Sequence, residues 1–169
     1  MTDYTISPAY EIINYAWTKL KSAGVLDVSN YYSESLNQTI MPFLPVQEQP
    51  EVNLDLGENT FFVYEYIVRP TDADFWRKSG QVIMYAYDND FNKLAEIVEF
   101  FSDEFNRFDG TAADVNRGLL SNKFAFLTVT LGSATVDRTA YNDDGRMSAE
   151  IIIDFEFTRL STQASGRAD

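Results

Sequence analysis

Two apolar, aromatic-rich runs of strand length, separated by a short polar break, constrain this chain more than any other feature. Thr60 to Val68 (TFFVYEYIV) is dense in aromatic and β-branched residues and is bounded by Gly57 and by Arg69-Pro70. That profile predicts a strand buried on both faces except at Glu65. A polar turn carrying Asp72, Asp74, Arg77, Lys78 and Gly80 follows, and Gln81 to Tyr87 (QVIMYAY) supplies a second strand. The two read as a hairpin with a long tip. The last third repeats the theme: Phe124, Phe126 and Thr128 alternate with Ala125, Leu127 and Val129. Ile151, Ile153, Phe155 and Phe157 then alternate with Glu150, Ile152, Asp154, Glu156 and Thr158. The second of these has the cleaner period of two, hence one buried and one wetter face. Between them, Gly132 to Met147 reads as a polar connection containing Asp143-Asp144-Gly145.

Two amphipathic helices accompany the strands. Ser7-Pro8 combines an N-cap residue with proline at the first helical position. Ala9, Ile12, Ile13, Ala16, Trp17 and Leu20 recur at helical spacing, and Gly24 provides a stop. Asp88 or Asp90 is placed to cap the second helix, whose apolar face is Phe91, Leu94, Ile97, Val98, Phe101 and Phe105. Asp109 to Leu120 (DGTAADVNRGLL) reads as a turn and a short helix, with Thr111-x-x-Asp114 resembling a capping box. From Val25 to Glu58 the pattern is irregular, and MPFLPVQEQP reads as an extended arm or edge strand because proline fixes φ and biases its predecessor to extended backbone. Antiparallel pairing of consecutive strands plus two helices that need a face to cover predicts an α+β fold. Its architecture is a mostly antiparallel or mixed sheet flanked by helices, as one domain over residues 1–169 with flexible ends at 1–6 and 161–169.

Composition removes chemistries. The chain has no His and no Cys, so it cannot build Ser-His-Asp or Cys-His catalysis, a disulfide, or a metal site that needs imidazole or thiolate. With 13 Lys+Arg against 26 Asp+Glu the formal charge is −13, which argues against a face that grips phosphates. No basic segment leads into an apolar run at the start, and no stretch nears the ~20 apolar residues of a membrane span. A product that is cytosolic when made is expected. The sequon Asn37-Gln38-Thr39 has no secretory context.

Candidate sites weigh little. Asp88-Asn89-Asp90-Phe91-Asn92 resembles the start of a calcium loop with Glu99 at its twelfth position, but Lys93 stands where the sharp turn needs glycine. Helix capping accounts for those acids better. Asp72 with Asp74, and Asp143 with Asp144, sit in predicted loop tips without an apolar pocket to shift a pKa. Asp109, Asp114 and Asn116 form another acidic stretch, for which capping and a subunit contact are both open. Aromatics are 15% of the chain, many on strands that read as apolar on both faces. Only one sheet face can be covered by the two helices, so self-assembly is the favoured expectation over an aromatic monomer core.

Several phrases carry a family likeness. The helix ending near Gly24, the arm IMPFLPVQEQPE, the strand FFVYEYI, the turn DFWRKSGQV and the segment YDNDFNKLAEIVEFF resemble the neck or tail-terminator proteins of tailed bacteriophages. DGTAADVN, FAFLTVTL and AEIIIDFEFTRL extend the resemblance. It implies a helix-flanked sheet whose copies close into a ring, six in that family, that caps the tail tube and presents a docking surface for the head connector. The implied role is structural and non-enzymatic, needing no cofactor and no metal. Implied partners are the chain itself, the tail tube protein, head connector or stopper proteins and the sheath, with the genome passing unbound and no membrane involved. The implied location is the virion tail or neck, after assembly in the host cytoplasm. A neighbouring stopper, completion or tube protein is the alternative, and a carboxylate-only hydrolase a more distant one. Interface candidates fall in three loops: Phe43, Leu44 and Val46 in the arm, Phe75, Trp76 and Arg77 in the first hairpin tip, and Arg138, Tyr141 and Arg146 in the last connection.

Overall fold

The computed structural model describes residues 7–45, 59–70, 77–106, 110–121, 123–137 and 147–159. Helix α1 (Pro8–Ser22) starts where the sequence places it: Ser7 is extended and its hydroxyl accepts from the Tyr10 N–H at 3.1 Å. Gly24 follows the C-cap with φ of +75°, the left-handed conformation that favours glycine. The expected irregular region contains a 3-10 helix (Val28–Tyr31) capped by Asp27, then a two-stranded ribbon, β1 (Tyr32–Ser33) and β2 (Gln38–Thr39). The arm opens as an edge strand, β3 (Phe43–Pro45), which pairs parallel to β4 (Phe61–Pro70).

The main sheet has the order β3-β4-β5-β7-β6, antiparallel at every pair except β3/β4. It is completed by β5 (Arg77–Asp88), β6 (Phe124–Asp137) and β7 (Met147–Arg159). The α+β expectation is met, with strands longer than the sequence implied. Arg77 to Gly80 belong to β5 and not to a turn, and Gly132 to Asp137 belong to β6 and not to a connection. Both errors come from glycines that serve close approach. A Cβ on Gly80 would meet the Phe155 ring at 2.7 Å and also the Ile67 carbonyl, and one on Gly132 would come within 2.7 Å of Asp154 Oδ2. Strand β6 also bends through two register shifts, at Phe126/Thr128 and Leu131/Ser133.

Helix α2 (Phe91–Glu104) is capped by Asp90, whose carboxylate accepts from Asn92 N–H at 2.9 Å. The calcium-like segment is therefore a strand end and a capped helix start. Helix α3 (Thr111–Arg117) departs from the capping-box reading. Gly110 is the N-cap, with no side-chain cap bond, and the Thr111 hydroxyl donates to the Glu104 carbonyl at 3.1 Å. Thr111 lies nearly fully buried against α2, so its hydroxyl satisfies the end of that helix instead of the start of its own.

Most of the core lies on one face of the sheet, while Leu44, Phe61 and Val63 are buried on the other at the β3/β4 end. Val82, Met84 and Ala86 of β5 and Ala149, Ile151, Ile153, Phe155 and Phe157 of β7 are buried together with Ile12, Ile13, Leu20, Leu94, Ile97 and Phe101 of the helices. Aromatic contacts bind the layers: Trp17 meets Phe43 edge-on, Phe43 stacks on Phe62 with centroids 4.2 Å apart, and Phe62 meets Phe101 edge-on. Nine of the 13 phenylalanines are buried, so the chain's own core absorbs most of the phenylalanine. β4 corrects the expectation of burial on both faces. Phe61, Phe62 and Val63 are buried, but Tyr66, Ile67 and Val68 are exposed, at 48%, 40% and 37%. Among the described residues β3 pairs with Phe62 to Tyr64.

Candidate outer-face interface

Side chains alternate across a strand, so register assigns the second face of the sheet residue by residue. Glu65, Ile83, Ile152 and Ser133 form one cross-strand row. Tyr85 pairs with Glu150 on one side of it, while Gln81 with Asp154 and then Ser79 with Glu156 stand on the other. All of these except exposed Glu65 are half-buried, unlike their fully buried neighbours Val82, Met84, Ile151 and Ile153. The described outer face carries five carboxylates, Glu65, Asp137, Glu150, Asp154 and Glu156, against two guanidiniums, Arg69 and Arg77.

Two contacts order this face. Gln81 Nε2 donates to Asp154 Oδ1 at 2.8 Å, and Gly132 on the adjacent strand leaves room for the other oxygen. Burial raises the Tyr85 pKa, and the charge and hydrogen bond of Glu150 and the charge of Glu65 raise it further. A cavity of about 270 Å³ opens over Ser79, lined by Arg69, Gln81, Thr128, Asp154 and Glu156.

Of the expected interface residues, Phe43 and Leu44 are buried in the chain's own core, so neither presents surface to a partner in this fold. Arg77 begins β5 opposite Thr158. Val46, Phe75, Trp76, Arg138, Tyr141 and Arg146 lie outside the described residues, as do Asp72, Asp74, Asp109, Asp143 and Asp144. Asp114 pairs with Arg117 one helical turn on. Asn116 departs from both readings of the acidic stretch, because its side chain is bonded to the backbone of Phe126.

One polar group escaped sequence reasoning and another serves a role different from the one expected of it. Glu11 reads as a first-turn acid but is only 2% exposed; its carboxylate accepts from Leu120 N–H at 2.9 Å and Ser121 N–H at 2.8 Å. Its only sequence signal is a position beside the apolar stripe. Asp88, also buried, accepts from the Thr60 hydroxyl and from Asp90 N–H. It borders a second cavity, of about 210 Å³, shared with Asp27, Tyr31, Asn59 and Lys93. Among the described residues no group of three or more acids could hold a metal ion, and no helix is long and apolar enough to cross a membrane. Compared with known proteins, the chain matches no family model and no curated protein sequence.

Proposed function

We propose that the chain is a structural subunit of a tailed-bacteriophage neck, a tail terminator whose copies close into a ring on the end of the tail tube and offer a docking surface to the head connector. The observation that carries this reading is the exposed apolar stretch late in β4. There Tyr66, Ile67 and Val68 are exposed on successive sides of the strand while it stays paired with β5. Exposed apolar stretches of strand favour contact with another chain, and a ring gives every copy the same neighbour. The resemblance supports the same role, since its phrases FFVYEYI and AEIIIDFEFTRL coincide with β4 and β7. A formal charge of −13 suits a ring through which DNA slides, because carboxylates repel the phosphate backbone.

Electron microscopy of the purified chain mixed with tail tubes tests the proposal. A ring at one tube end is the expected image. Incorporation along the tube, or no association with tubes, overturns it.

A further inference from the structure

We propose that the outer face of the sheet is a docking surface for a protein partner that presents a Lys or Arg side chain beside an apolar patch. α2 touches β5, β6 and β7, and its Leu94, Ile97 and Phe101 share the core with Met84 and Ile151 of the opposite face. On the outer face Leu44, Phe61 and Val63 are buried at the β3/β4 end, and the proposed surface lies beyond them, over β5 and β7. The outer face has an apolar centre of Ile83, Ile152 and the Tyr85 ring, with Glu65, Glu150, Asp154 and Glu156 around it. An apolar centre with a charged rim is the anatomy of a protein contact surface.

Charge selects the occupant. A second copy of the chain would bring the same carboxylates to the contact, whereas a basic partner would neutralise them. The cavity over Ser79 is walled by Asp154 and Glu156, and its volume of about 270 Å³ admits one long cationic side chain. Gln81 fixes the Asp154 carboxylate through Oδ1 before any partner arrives, which lowers the ordering cost of binding. Arg69 lines the far side of the same cavity and opposes a cation there. This inference goes beyond the ring reading and stands without it, because self-association is assigned to the end of β4 and this face to a different chain.

The probe is a synthetic amphipathic helix of Leu and Lys about four turns long, titrated into the full chain by calorimetry and amide NMR, with a Leu/Glu helix as control. Perturbed amides should cluster at Gln81, Ile83, Ile152 and Asp154. The double variant Asp154→Lys/Glu156→Lys should weaken the Leu/Lys helix about tenfold, equivalent to about 1.4 kcal/mol, and Arg69→Ala should tighten it two- to threefold, roughly the scale of one exposed charge pair. The pair Glu99→Lys/Asp103→Lys on the exposed side of α2 changes net charge equally and should leave affinity within about twofold. Glu156→Lys alone serves if the double variant does not fold. Equal weakening by the α2 pair, or perturbation centred on the helices, overturns the proposal. So does a dimer in sedimentation that Glu156→Lys abolishes, since that assigns the face to a second copy.

Discussion

Asn116 grips Phe126 by both of its backbone polar groups: the side-chain Nδ2 donates to the Phe126 carbonyl at 2.9 Å, and the Phe126 N–H donates to Oδ1 at 2.8 Å. The amide thus takes the place of a neighbouring strand on the outer side of β6. Farther along, the Leu131 N–H donates to the Phe105 carbonyl at the end of α2. An edge strand covered at two points is a poor template for another chain. Asn116→Ala should cost about 1–3 kcal/mol, because it leaves a donor and an acceptor unmatched. Urea denaturation followed by circular dichroism measures that loss, and light scattering should show faster aggregation.

Glu11 gives the fold a pH dependence of known sign. Burial raises its pKa above 4.5, against the opposing hydrogen bonds from Leu120 and Ser121. The folded chain then holds that proton more tightly than the unfolded one. The associated stability is complete below about pH 4.5 and is lost as pH rises through the folded value. Glu11→Gln should remove this component, so its stability relative to the parent should improve between pH 5 and pH 7. Denaturant midpoints in dilute solution at the two pH values check this; a parallel shift of both proteins overturns it.

Tyr31 sits at the opposite pH extreme. Its hydroxyl donates to the Thr60 carbonyl at 2.7 Å, and burial, with the Asp88 charge adding, pushes its pKa up to about 12. Stability linked to this proton is full below about pH 10 and disappears as pH climbs through about 12. Ultraviolet titration of tyrosinate should show several late-ionising residues, since Tyr85 and Tyr87 are also raised, and Tyr31→Phe should remove the one that ionises at about 12.

Gly80→Ala should destabilise by roughly 1–3 kcal/mol through overpacking, since the new methyl meets both the Phe155 ring and the Ile67 carbonyl. Phe155→Leu in the same chain should not restore stability, because the backbone collision persists. Thermal melts of both variants distinguish the two collisions.

Phe62 stacks on Phe43 and touches Phe101, joining β3, β4 and α2. Phe62→Ala should cost about 3–5 kcal/mol, against roughly 0.5 kcal/mol or less for exposed Tyr66→Ala. Chemical denaturation orders the pair, and only the second should alter assembly of the proposed ring.

The helices were legible because capping and periodicity agreed at both ends: Ser7 and Gly24 bound α1, and Asp90 caps α2. Strand ends were not. Gly80 and Gly132 carry the local signature of a turn, while their real requirement is set by Phe155 and Asp154, which lie far away in sequence. Thr111 failed for a related reason, since its hydroxyl partner belongs to α2. The alternation of Glu150, Asp154 and Glu156 already marked a wetter face of β7. Their partners Tyr85 and Gln81 required the β5/β7 register, which no local pattern encodes. The exposure of Tyr66 to Val68 is a tertiary fact that the aromatic composition of β4 conceals.

The strand order carries a consequence for biosynthesis. β7 is the last of the described strands in sequence, yet it lies between β5 and β6. While a ribosome is still making the chain, the β4–β5 hairpin and β6 share no ladder, and their apolar sides face water or chaperones. Only when residues 147–159 emerge can the halves zip together, so completion of the sheet is timed to translation beyond that strand. A nascent chain stalled before Met147 should stay protease-sensitive, and an extension past Arg159 long enough to carry that strand out of the ribosome should abruptly protect it.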